Sequence, residues 1–188
     1  LLTTYLKTMT PSKYFFVTGV GTHKHELASF EQALRNAGIE KLNIVTVSSI
    51  LPPDAIPENP SDALATLTPG RITFMVISRI STNEPGRLIA ASCGIAKPLN
   101  SRHHGYISEF HAFGMEGYEA AERAEDLAAW MLATTLGLDF DVDKNWNEQK
   151  QQFEFGDKAI FTNSIVAYAK GDPNGLFTTA ISAVVLLP

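Results

Sequence analysis

Cysteine is almost missing from this chain: Cys93 stands alone among 188 residues. One thiol closes no intramolecular disulfide and forms no cysteine-rich metal cluster, so a reducing compartment such as the cytoplasm is expected. Long apolar runs are absent too. Nothing approaches the roughly 18 consecutive apolar residues that a membrane-spanning helix needs, and Leu1–Thr10 lacks the long apolar segment of a secretory signal. Basic charge is scarce, with 15 Lys and Arg against 20 Asp and Glu, a net charge of -5 and a pI near 5.5. That balance leaves no electrostatic footprint for nucleic acid and mildly favours a cationic small molecule. There is no initiating methionine at position 1, which is expected if the chain is trimmed or begins within a longer product.

What is present suits one compact domain, since hydrophobic residues make up 45% of the chain and charged residues 19%. Lys13 to Val20 is aromatic and β-branched, which predicts a first strand, with Gly19-x-Gly21 then turning the chain. That GxG is not a dinucleotide fingerprint, because no third glycine opens the next helix. His23 and His25 flank Lys24 with no further ligand nearby, so they read as solvated. Glu26 to Asn36 is predicted helical, with Leu27, Phe30, Leu34 and Ala37 on one face and Gly38 as its cap. Pro52 to Pro69 contains five prolines, which predicts an extended crossing. Arg71 to Arg79, Arg87 to Lys97 and Gly105 to Phe113 read as strands, and Glu116 to Leu136 as the longest helix, its carboxylates a solvated face. Asp139-x-Asp141-x-Asp143 fails as a calcium loop, because Lys144 and Lys150 stand where glycine and glutamate are needed. Lys144 to Gln152 reads as a polar loop. Ala159 to Ala169 and Phe177 to Leu187 then read as two strands of a hairpin around Gly171-Asp172-Pro173-Asn174-Gly175. The order gives an α/β class with mixed pairing.

The chemistry is expected at Asn43-Ile44-Val45-Thr46-Val47-Ser48-Ser49-Ile50-Leu51-Pro52-Pro53. A β-branched run favours a strand, and the two prolines forbid its continuation as a central strand, so Ser48-Ser49 falls at a strand end. There, neighbours can hold a peptide bond in strained geometry. Two serines before a turn are also ordinary, as is a strand-initiating asparagine such as Asn43. Glu31, on the edge of an apolar helix stripe, usually reaches water or a surface cation. Glu109 alternates with apolar neighbours along its strand, which fits either an exposed residue or a half-buried carboxyl that desolvation keeps protonated.

Phe30-Glu31-Gln32-Ala33-Leu34-Arg35-Asn36-Ala37-Gly38-Ile39, Asn43, Ser48-Ser49-Ile50-Leu51-Pro52-Pro53 and Gly105-Tyr106-Ile107-Ser108-Glu109 together resemble the pyruvoyl-dependent arginine decarboxylases. The likeness runs from about Phe15 to the C-terminus. It implies a four-layer α/β/β/α sandwich and a homotrimer, or a dimer of trimers, with active sites between subunits. It also implies self-cleavage of residues 1–188, a single catalytic domain, at Ser48-Ser49 into a β chain 1–48 and an α chain 49–188. Ser49 would become a covalent pyruvoyl group, with no metal and no pyridoxal phosphate. By the same resemblance Asn43 assists at the site, Glu109 is the proton donor and Glu31 holds the guanidinium of L-arginine, which leaves as agmatine and carbon dioxide. The family pattern has aspartate where Glu31 stands, one methylene shorter. A pyruvoyl decarboxylase for another amino acid is therefore an alternative, as is an uncleaved, non-catalytic oligomeric binding protein. A serine hydrolase is a third reading, but neither serine sits in a GxSxG elbow.

Overall fold

The computed structural model describes residues 10–99 and 102–188; Leu1–Met9, most of the stretch considered for a secretory signal, lie outside them. The strands are β1 Lys13–His23, β2 Asn43–Thr46, β3 Ile50–Leu51, β4 Ile56–Pro57, β5 Ile72–Thr82, β6 Leu88–Pro98, β7 Gly105–Phe113, β8 Trp146–Asn147, β9 Gln152–Phe155, β10 Lys158–Lys170 and β11 Phe177–Leu187. The helices are α1 Glu26–Ala37, α2 Pro60–Thr66, α3 Gly117–Thr135 and α4 Val142–Asn145.

The strands form two mixed or antiparallel sheets. One has the order β2-β5-β11-β1-β4, the other β3-β7-β6-β10-β9-β8. The cores show how they stack. Phe15, Val17, Met75, Ile181 and Val185 on the first sheet pack under Ala33, Leu34 and Ala37 of α1. Tyr14, Val76 and Val184 of the first sheet meet Cys93, Ile95 and Ile107 of the second. Ala96 and Ile160 on the far side of the second sheet pack under Ala128, Ala129, Leu132 and Ala133 of α3. Helix, sheet, sheet and helix therefore make four layers. Alternation along each strand is the cause, because successive side chains serve opposite faces and both faces of these sheets are covered.

Glycine decides how closely α1 lies on its sheet. Gly19 and Gly21 do not turn the chain as expected; β1 runs straight through both. A Cβ at Gly19 would fall 2.0 Å from the Ala33 carbonyl oxygen, and one at Gly21 2.2 Å from that of Ser29. The helix backbone rests on the strand there. Buried hydroxyls fix the contact, with Ser29 Oγ 2.6 Å from Thr179 Oγ1 and Ser81 Oγ 2.8 Å from the same atom. The buried face of α1 is Ser29, Ala33, Leu34 and Ala37; Leu27, placed on it by periodicity, is 76% exposed.

Three further expectations change. Asn59 accepts from the Ser61 N–H with Pro60 as the first helical residue, so a short helix, α2, occupies part of the proline-rich crossing. Residues 144–152 are not simply a loop, because α4 and the small β8–β9 pair lie there. The strands β10 and β11 are not a hairpin: β10 pairs with β6 and β9, β11 with β1 and β5, in different sheets. The turn at Gly171–Gly175 reverses the chain across the space between the sheets rather than within one. Gly38 caps α1 at φ 75 as expected; Glu116 and Glu119, expected only as part of a solvated face, form a capping box at the start of α3.

Candidate active site

Ser48 and Ser49 bridge the two sheets. β2 belongs to the first sheet, parallel to β5 with Thr46 opposite Met75, and the Val47 N–H still donates to the Met75 carbonyl at 3.1 Å. β3 belongs to the second, antiparallel to β7 with Ile50 opposite Tyr106 and Leu51 opposite Gly105. The strand that ends at the serines thus ends because its continuation joins another sheet. The prolines at 52 and 53 limit how far it can run there.

Backbone donors frame both serine carbonyls. The Ile50 N–H donates to the Ser48 oxygen at 3.0 Å, a three-residue turn centred on Ser49. The Ile107 N–H donates to the Ser49 oxygen at 2.6 Å. Ser48 is exposed and Ser49 half-buried. Neither serine has positive φ; what distinguishes the pair is the hydrogen bonding of both carbonyls. Sequence reading missed both donors, since a backbone N–H leaves no mark in residue type.

Glu109 lies on β7, two residues beyond Ile107 and hence roughly 7 Å further along the same strand face. It sits opposite Cys93 of β6 and is exposed within the protomer, so one chain does not supply the burial expected of it. Its effect is felt by Cys93, whose thiol is pushed up to about 12, first by burial and further by the negative charge of Glu109. Beside it, Ser78 Oγ donates to the Phe110 carbonyl at 2.7 Å and ties β5 to β7.

The other two expected residues lie elsewhere. Asn43 opens β2, five residues before Ser48, so about 17 Å of extended chain separates them. Its side-chain amide donates to the Gly70 carbonyl at 2.8 Å. Glu31 is on α1, where its carboxylate accepts from Arg35 Nε at 3.1 Å. That i,i+4 pair is solvent-exposed, and such pairs contribute only about 0.3–0.5 kcal/mol. Asn43 on β2 and Glu31 on α1 thus each have a partner of their own, whereas Glu109 shares β7 with the Ile107 N–H that holds the Ser49 carbonyl.

Neither of two sizeable cavities adjoins these residues. One of about 540 Å³ lies by Pro98, Leu136 and Ile160, and one of about 450 Å³ by Glu122, Asp126 and Trp146. Glu125, on the rim of the second, accepts from the hydroxyls of Thr162 at 2.8 Å and Ser164 at 2.6 Å. This α3 carboxylate anchors the helix to β10 instead of merely facing solvent.

The family model described as pyruvoyl-dependent arginine decarboxylase matches residues 13–188. A probable pyruvoyl-dependent arginine decarboxylase of Chloroherpeton thalassium is 50% identical over 181 residues, covering 96% of this chain and 100% of that relative. Another, from Chlorobium luteolum, is 52% identical over 178 residues, 95% of this chain and 98% of the relative. The pyruvoyl-dependent arginine decarboxylase of Methanococcoides burtonii is 49% identical over 179 residues, 95% and 99% of the two chains.

Proposed function

The chain belongs to the pyruvoyl-dependent arginine decarboxylase family, and on that premise we propose that it converts L-arginine to agmatine and carbon dioxide with a pyruvoyl group made from its own Ser49. The observation that carries the reading is the Ser48-Ser49 crossing, with a hydroxyl beside a carbonyl already engaged by a backbone donor.

In maturation Ser49 Oγ attacks the Ser48 carbonyl carbon. The oxyanion forms on the oxygen that the Ile50 N–H holds, the carbon–nitrogen bond breaks, and an ester replaces the amide. Loss of the Ser49 Cα proton then expels the Ser48 carboxylate, and one water replaces the nitrogen, which departs as ammonia. The single domain becomes a β chain, residues 1–48, and an α chain, residues 49–188. The two sheets support this division, because the new ends stay anchored separately: β2 by β5 in the first, and β3 by β7 in the second. The β chain is retained through the eleven paired residues of β1 and β11.

The pyruvoyl group supplies a ketone that binds the substrate amine and an adjoining carbonyl that draws electrons as carbon dioxide leaves. The protein's own residues do the rest. Glu109 delivers a proton to the substrate carbon, and Glu31 exchanges Arg35 for the guanidinium in a charge-assisted pair. Asn43 and Glu31 complete the site of a neighbouring copy in a homotrimer or a dimer of trimers. Their separation from Ser49 within one chain supports that sharing. No helix among the described residues is long and apolar enough to cross a membrane; a cytoplasmic location is part of the proposal.

Intact mass measurement with and without borohydride tests the reading. Two chains divided after residue 48 are expected, the larger gaining two hydrogens on reduction. Carbon dioxide release from arginine, and not from ornithine, lysine or histidine, tests the substrate. An active, uncut polypeptide would overturn it.

A further inference from the structure

We propose that the backbone N–H of Ile107 is a catalytic hydrogen-bond donor in turnover, held on the Ser49 carbonyl oxygen to stabilise the negative charge that gathers there as carbon dioxide departs. The inference rests on the function proposed above and adds to it a group that no residue-type motif reveals.

The cut falls on the N-terminal side of Ser49. Its own carbonyl is therefore kept, and becomes the carbonyl adjoining the keto group. Among the described residues the Ile107 N–H is the one hydrogen-bond donor to that oxygen, while the neighbouring Ile50 N–H is turned to Ser48. The 2.6 Å separation is short against the usual 2.9–3.0 Å or so for N–H···O bonds.

The donor is also fixed and dry. Ile107 and Leu51 are both fully buried, and Ile107 sits opposite Ile95 on the far side of β7. A Cβ at Gly105 would lie 2.3 Å from the Ala96 carbonyl oxygen and 3.3 Å from the Leu51 side chain, so β3, β6 and β7 approach closely here and the donor has little room to shift. A preoriented donor in a water-excluded place strengthens as charge grows on its acceptor without first reorganising. The electron pair of the breaking carbon–carbon bond spreads towards this oxygen, and returns to form the new carbon–hydrogen bond when Glu109 delivers its proton. Ile50 serves the cut and Ile107 serves turnover.

The test replaces the Ile107 amide by an ester in the full chain, using the α-hydroxy acid analogue of isoleucine introduced by nonsense suppression. The side chain stays and only the N–H is lost. Expected are normal cutting after Ser48, a kcat about 10²–10³-fold lower with KM for arginine little changed, and an upward shift of the infrared band of a ¹³C-labelled Ser49 carbonyl. Unchanged kcat together with a shifted band would overturn the proposal. In the unmodified cut protein the labelled band should lie below its position in denaturant, and a band that does not move there would overturn it without any variant having to fold. An unmodified chain that never cuts would instead sink the function on which the proposal rests.

Discussion

Cys93 and Glu109 face each other across the β6–β7 ladder, a fully buried thiol opposite an exposed carboxylate. The thiol lies in the layer between the sheets and donates to the Ser182 carbonyl at 3.2 Å. Burial and the nearby negative charge both disfavour its thiolate. A thiol-reactive disulfide reagent at pH 8 is therefore expected to find no cysteine in the native protein and one per chain in denaturant. Burial pushes the folded thiol up to about 12, so above about pH 9 the unfolded state sheds a proton that the folded state keeps. Stability contributed by this site is full below pH 9 and falls from there to about pH 12. Rapid labelling of the native protein at pH 8 would contradict this.

Ser49→Ala removes the attacking hydroxyl and keeps the backbone that frames it. Denaturing electrophoresis should show one band at 20.5 kDa and no carbon dioxide release. Release at the native rate would mean that residue 49 is not the source of the catalytic carbonyl.

Glu109→Gln should leave cutting intact, because the attack on Ser48 uses Ser49 and the Ile50 N–H. Decarboxylation should fall by about 10²–10⁴-fold, the usual worth of a positioned general acid. Full activity in the cut variant would remove Glu109 from the mechanism.

If subunits share the site as proposed, Asn43→Ala and Glu109→Gln alter parts of it that come from different copies of the chain. Each alone should be nearly inactive, and co-expressed chains should recover part of the activity, since some mixed oligomers would contain an intact site built from two unaltered halves. No recovery from mixed oligomers confirmed by native mass measurement would argue that both residues serve the site of one protomer.

Gly19→Ala places a methyl against the Ala33 carbonyl, where the space left is 2.0 Å. Backbone cannot give way as a flexible side chain would, so a loss of about 1–3 kcal/mol or more is expected. For a domain of this size that corresponds to roughly 2–4 °C per kcal/mol in the midpoint of thermal unfolding. An unchanged midpoint would show that α1 does not rest on β1 as described.

Local patterns were legible wherever one residue's chemistry or a short period was enough. Gly38 capped α1 because a left-handed cap favours glycine, and the β7 span Gly105–Phe113 followed from its alternation. Leu27 misled because the helix period marks a stripe but not its centre, and the glycines of β1 drew the smaller Ser29 and Ala33 against the sheet. The β10–β11 turn misled because glycine, proline and asparagine announce a reversal without saying which sheet receives the returning strand.

By itself the sequence determined where a strand must end: a β-branched run, two hydroxyls and two prolines place that ending at Ser48-Ser49 through side-chain sterics and the missing proline N–H. Only the tertiary structure decided that this ending is a passage between two sheets, that Ile50 and Ile107 present their N–H groups to successive carbonyls, and that Asn43 and Glu31 stand apart from them. Those are relations between backbone atoms distant in the chain. They are set by sheet register and layer stacking, which every residue's identical peptide unit leaves unmarked in the sequence.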